Sequence, residues 1–328
     1  MGESAGAGSI MHQITAYGSS AGKPPFQQAV LQSAAFVPTP DPIQQQNTTV
    51  NFLTLLKASS IDALRQLPIQ ALTFANAYMV GTAPYGSFVF TPTVDGEFVP
   101  DLPGKLLLEG KFNKNVKLLI GHNANEGLLF TSPFYNTTEA IGDYINLAFP
   151  AAPPGVGRYI LEELYPPPSP NNTLPYTDNI GRAAFLTAEA FFTCNTNYLS
   201  RAFDNATYDY LFSVPPAIHG QDIPYTFYGT GSNLTNSSAF PVPVNQTIAV
   251  ALQNYITDFA QTGSPNGEGV PQFDLYGPQA QVLNLGQDGF TKIKDQTANE
   301  RCAWWQKGLY YDPGRGRGES IEPVMSSE

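Results

Sequence analysis

Gly2-Glu3-Ser4-Ala5-Gly6, near the start of the chain, has the spacing G-x-S-x-G. This spacing sets a serine on a sharp turn from strand to helix, with its hydroxyl exposed for nucleophilic attack. The two glycines suit a turn where the backbone is strained and strand and helix approach closely. A helix beginning at Ser4 would also aim the N–H of Ala5 at the oxygen of a bound acyl group. A serine hydroxyl is a weak nucleophile, so it needs a base, and the base needs an orienting carboxylate. Only three histidines can supply the base. His12 falls inside the helix after the serine and reads as a packing or helix-surface residue. His122 ends a strand but precedes every credible acid. His219 follows a later strand in the run IHGQDIP and fits the base.

The acid should stand just beyond the C-terminal end of an earlier strand, in the chain order serine, acid, histidine. Glu126, in GHNANEG, stands there. Asp95 and Glu97 are rivals, but an Asp-Gly pair marks a turn. Asp222 follows His219, and its position predicts a cap on the turn leading to Pro224.

These side chains need a scaffold. Ile10, Met11, Ile14 and Tyr17 at helical spacing, with Gly18 behind them, predict a helix over 4–17. Short apolar runs predict strands at 27–33, 116–121, 207–214 and 281–285. Helical patterns cover 42–79 with breaks, 106–108, 138–149, 159–164, 177–203, 246–262 and 299–310, while 88–103 reads as extended loop. Alternating strands and helices imply an α/β fold with a mostly parallel sheet flanked by helices. One domain is expected over residues 1–312, followed by a disordered tail at 313–328.

Composition narrows the partners. The 328 residues carry a net charge of −11, with an isoelectric point near 4.7. That balance argues against nucleic acid or an anionic membrane surface as partner, and no apolar run is long enough to be an integral membrane segment. Acceptor sequons for N-linked sugar begin at Asn47, Asn136, Asn171, Asn205, Asn233, Asn236 and Asn245. With few lysines and two cysteines, they favour a secreted glycoprotein, although no signal peptide is visible. The chain is therefore read as the later part of a longer protein.

Seven blocks, in order, resemble the type-B carboxylesterase/lipase family of cholinesterases and fungal secreted lipases. They are GESAGAGS (2–9), AVLQSA (29–34), TPTVDGEFVPDLP (91–103), LLIGHNANEG (118–127), HGQDIPYTF (219–227), YITDFAQTGSPN (255–266) and RCAWW (301–305). The resemblance covers nearly the whole chain. It implies the C-terminal portion of an α/β-hydrolase fold lacking its first strands. It also implies Ser4 as nucleophile, Glu126 as acid and His219 as base in hydrolysis of a small-molecule or lipid ester, with no cofactor and no metal. Ser33 matches a family serine near the triad, with Ala34 where the family usually has glycine; a buried serine satisfied by backbone suits the position equally. Cys194 and Cys302 match a family pair that closes a disulfide.

In the family, the first strands and a glycine-rich oxyanion loop precede the serine. Their absence predicts that this polypeptide alone folds poorly and turns over esters weakly, with an open sheet edge at the strand of Val30. Two other readings remain: a binding or adhesion protein on the same fold, and a non-functional gene fragment.

Overall fold

The alternation of strands and helices builds one six-stranded sheet in the order β1-β2-β3-β4-β5-β6. The computed structural model describes residues 1–20, 22–35, 41–171, 173–229 and 243–312. Strands β1 (Gly2–Glu3), β2 (Gln28–Gln32), β3 (Lys117–Asn123), β4 (Tyr208–Phe212) and β5 (Gln281–Gly286) run parallel. Strand β6 (Gly289–Lys294) closes the sheet by an antiparallel turn back onto β5. Asn233, Asn236 and the tail at 313–328 lie outside the described residues.

The helices are α1 (Ala5–Thr15), α2 (Pro42–Leu55), α3 (Ile61–Arg65), α4 (Ile69–Thr82), α5 (Pro103–Leu108) and α6 (Thr138–Ala148). They continue with α7 (Val156–Tyr159), α8 (Asn179–Ala188), α9 (Cys194–Ala202), α10 (Ile223–Thr226), α11 (Gln246–Thr262) and α12 (Glu300–Gln306). Because both faces of a parallel sheet are covered, its central strands are apolar in consecutive positions rather than alternating. In β3, Leu118 and Ile120 join a core with α1, α5, α6, α8, α9 and α12, while Leu119 joins the opposite core with α11. Helices α2 and α3 bury no residue and α4 buries only Ala75, so this arm stands apart from both cores.

Four local expectations change. A strand does precede Ser4: two residues suffice to pair Gly2 with Leu31 and Glu3 with Gln32, so β2 has a neighbour on that side. Strand β6 went unread because Gly289–Lys294 (GFTKIK) carries two lysines and sits at an exposed edge. The helix expected over 177–203 is interrupted by a π-turn at Glu189–Thr193; an extra residue per turn leaves little mark on a 3.6-residue pattern. The glycines of the G-x-S-x-G run are unequal. A Cβ on Gly2 would lie 2.4 Å from the Gly6 carbonyl carbon, whereas one on Gly6 would meet nothing within 4 Å among the described residues.

Candidate active site

Ser4 bridges β1 and α1 with φ 55° and ψ −120°. A non-glycine residue with φ in this range is strained and must be held by its surroundings. The hold is explicit: the Ser4 N–H donates to the Gln32 carbonyl at 2.9 Å, and the Ser4 carbonyl accepts from Gly8 and Ala35 at 2.9 and 3.1 Å. The bend frees the hydroxyl from the helix, and no side chain caps the first turn of α1. The Ala5 N–H thus belongs to a helix end that offers donors without intrahelical partners.

Glu126 lies three residues beyond β3 and is fully buried. Gly127 permits this: a Cβ there would stand 1.9 Å from the Ala184 carbonyl oxygen of α8. Glu126 Oε1 accepts from the Ser33 hydroxyl at 2.7 Å and the Asn123 N–H at 2.5 Å. Oε2 is left for His219, whose Nδ1 lies 2.5 Å away. On the other side of the imidazole, Nε2 is 2.8 Å from Ser4 Oγ. A carboxylate at Nδ1 fixes the tautomer, so Nδ1 carries the proton and Nε2 is left to accept one from the serine. The ring is packed by Phe192 and Phe130, with centroids 4.6 and 5.0 Å away.

Electrostatics favour a charged imidazole despite its burial. Burial lowers the His219 pKa, but the hydrogen bond and charge of Glu126, aided by Glu3 and Asp222, outweigh it and raise the pKa above the usual value. Glu3 is itself pushed up to about 7, first by burial and then by the charges of Asp222 and Glu126, with His219 opposing. Its Oε1 lies 3.5 Å from His219 Nε2.

Behind Ser4, His219 and Glu126 runs a second layer that the sequence did not announce. Asp222 makes no side-chain cap at α10, contrary to expectation. Its carboxylate is fully buried and accepts from Tyr210 at 2.7 Å, Gln32 at 3.0 Å and Asn123 at 3.3 Å. Asn123 also donates to Ser33 Oγ at 3.2 Å, linking this layer to Glu126. Alternation could have pointed to part of it: Gln32 and Asn123 are polar residues ending buried strands, where burial demands partners.

The other candidates separate cleanly. His12 is buried in α1, and burial lowers its pKa to about 4. His122 bonds the Asn123 carbonyl through Nδ1 and stays apart from Ser4 and Glu126. Asp95 holds its own loop by accepting from the N–H groups of Glu97 and Val99. Cys194 and Cys302 are joined in a disulfide between α9 and α12. Among the described residues, no group of acidic, histidine or cysteine side chains could hold a metal ion.

A serine at a strand-to-helix bend, with its partners on loops after later strands of a parallel sheet, defines an α/β-hydrolase. The crystal structure of Aspergillus niger EstA has the same fold, with a TM-score of 0.73 and 22% identity over 93% of this chain and 62% of that one. The carboxylesterase family matches residues 1–305, and the chain belongs to that family. It is 40% identical over 309 residues to the carboxylesterase patB of Penicillium expansum, covering 94% of this chain and 53% of that protein. It is 28% identical to Secreted lipase 1 of Botryotinia fuckeliana, covering 87% of this chain and 53% of the lipase. The chain therefore spans about half the length of these curated relatives.

Proposed function

We propose that the protein hydrolyses carboxylic esters through an acyl-enzyme, with Ser4 as nucleophile, His219 as base and Glu126 as orienting acid. The observation that carries this reading is the unbroken hydrogen-bond chain Ser4 Oγ–His219–Glu126, supplied by three segments far apart in sequence. His219 Nε2 takes the hydroxyl proton as Oγ attacks the ester carbonyl. The Ala5 N–H faces the oxyanion, and His219 then gives the proton to the departing alcohol. Water, activated by the same nitrogen, releases the acid. Glu126 stabilises the imidazolium throughout, while Ser33 and Asn123 hold its carboxylate in place.

One oxyanion donor contributes roughly 3–4 kcal/mol to the transition state. A polypeptide of these residues alone, supplying the Ala5 N–H as the visible donor among the described residues, is expected to turn over esters slowly. Residues 1–312 form the catalytic unit in this reading. The protein is a secreted glycoprotein, supported by relatives named secreted lipases and by exposed sequon residues Asn47, Asn136 and Asn171.

The test is p-nitrophenyl ester turnover by the full-length protein and its Ser4→Ala variant, with folding checked by circular dichroism. Loss of turnover in a folded variant is expected. Retained turnover would rule Ser4 out as nucleophile.

A further inference from the structure

A cavity of about 460 Å³ opens on the α8–α9 side of the sheet, away from the serine. Its floor is formed by His122, Leu211, Val282 and Ile293 at the strands, and its wall by Phe185 and the Glu189–Arg301 pair. This volume is within the range of small-molecule sites. The π-turn Glu189–Thr193 divides the cavity from the triad: Glu189 and Thr193 line the cavity, whereas Phe192 packs on the His219 ring.

The charges in this wall are already answered. Glu189 receives Arg301 at both oxygens at 2.7 Å, together with Tyr165 at 2.6 Å and Asn299 at 3.0 Å. Asp295 receives Tyr276 and the Thr297 hydroxyl and N–H at 2.7–2.8 Å. Among the described residues, the one cation in the lining is already held by Glu189, and the partners of Asp295 are neutral but occupy both of its oxygens. An ionised ligand would therefore be desolvated without finding a countercharge whose oxygens or N–H groups are all free.

Besides the exposed Thr173 and Gln296 side chains, two polar valences remain. The Asn123 carbonyl can only accept, so His122 Nδ1 carries the proton and Nε2 is an acceptor with no partner among the described residues. The Arg301 guanidinium, 5.1 Å from the Phe185 centroid, uses Nε and Nη2 on Glu189, while Nη1 has no partner among the described residues. An acceptor and a donor between an apolar floor and charged groups already hydrogen-bonded match a hydroxyl, which can give one hydrogen bond and take another.

We propose that this cavity is a second ligand site, distinct from Ser4, that takes neutral alcohols with an apolar body. Three probes of nearly one shape separate the possibilities: 2-phenylethanol, phenylacetate and 2-phenylethylammonium. Isothermal titration of the protein should show saturable binding of 2-phenylethanol at least tenfold tighter than of either ion. His122→Phe, which keeps the ring and removes the acceptor, should weaken binding about fivefold, the worth of one neutral hydrogen bond. Ile293→Trp should fill the cavity and abolish binding. If that variant fails to fold by circular dichroism, His122→Phe carries the test. No saturable binding of the alcohol, an ion bound as well or better, or unchanged binding in the folded variants would each overturn the proposal. None of these readouts uses ester turnover, so failure here leaves the catalytic reading untouched, and the reverse.

Discussion

Glu126 and Ser33 meet at 2.7 Å, the Ser33 hydroxyl donating to Oε1 while Oε2 faces His219. One oxygen of the carboxylate is thus anchored by the protein and the other is reserved for the imidazole. Ser33 sits at φ 52°, so the anchor is held in a backbone conformation that its own residue disfavours. Such strain persists where the surrounding structure fixes it.

Replacing Glu126 by Gln should cost about ten-thousandfold in kcat, since the amide leaves the imidazole in the wrong tautomer. The residual activity carries a second signature. His219 must be neutral to act as base, so its raised pKa puts the acid limb of the pH–rate profile above the ordinary histidine value. Losing Glu126 removes the main contribution that raises it, and the limb should move to lower pH. A limb that stays in place would show that another group sets it.

Glu3→Gln separates charge from geometry. The carboxylate lies beside His219 without accepting a hydrogen bond from the ring at 3.5 Å, and its charge helps raise the histidine pKa. The variant should keep the fold and most of kcat at alkaline pH while its acid limb shifts downward. Stopped-assay pH profiles of the two proteins would check this.

Asp209 in β4 should make stability depend on pH. Burial pushes its pKa up to about 7, and hydrogen bonds from Ser200 and Thr207 oppose this only in part. A carboxyl whose folded pKa exceeds its unfolded one stabilises fully below the unfolded value of 3.8. That contribution is lost as pH rises towards 7, at about 1.4 kcal/mol per unit. Urea unfolding at pH 4.5 and 8 should show the decline in the parent, and Asp209→Asn should flatten it.

The disulfide should be a major support. Cys194 and Cys302 are separated by 108 residues, and closing a loop of that order contributes up to about 4.7 kcal/mol by restricting the unfolded chain. Paired replacement by Ser, or reduction, should lower the thermal midpoint by several degrees or more. An unchanged midpoint would mean that the unfolded chain is compact without the bond.

The three candidate residues were more legible than the side chains that support them. Glu126 and His219 could be singled out because each follows a strand whose apolar run is plain and because three histidines left little choice, whereas Ser4 was marked by its G-x-S-x-G spacing and not by the two-residue strand before it. Ser33 carried a motif, but its partner was invisible until the chain folded. Gln32, Asn123, Tyr210 and Asp222 come from four separate segments, and nothing in spacing couples residues that meet only across strands. Phe130 packs against the His219 ring, a contact between distant segments that no spacing announces. The π-turn escaped because helical periodicity averages over one inserted residue, yet that insertion turns Phe192 towards the histidine and Glu189 towards Arg301.

The sheet adds its strands in the order in which they are encoded. As the chain leaves the ribosome, each strand after the first can therefore dock on an edge already laid down, with no later segment required to slot between earlier ones. Ser4 precedes β2, Glu126 follows β3 and His219 follows β4, so of these three residues the imidazole that stands 2.8 Å from the hydroxyl is made last.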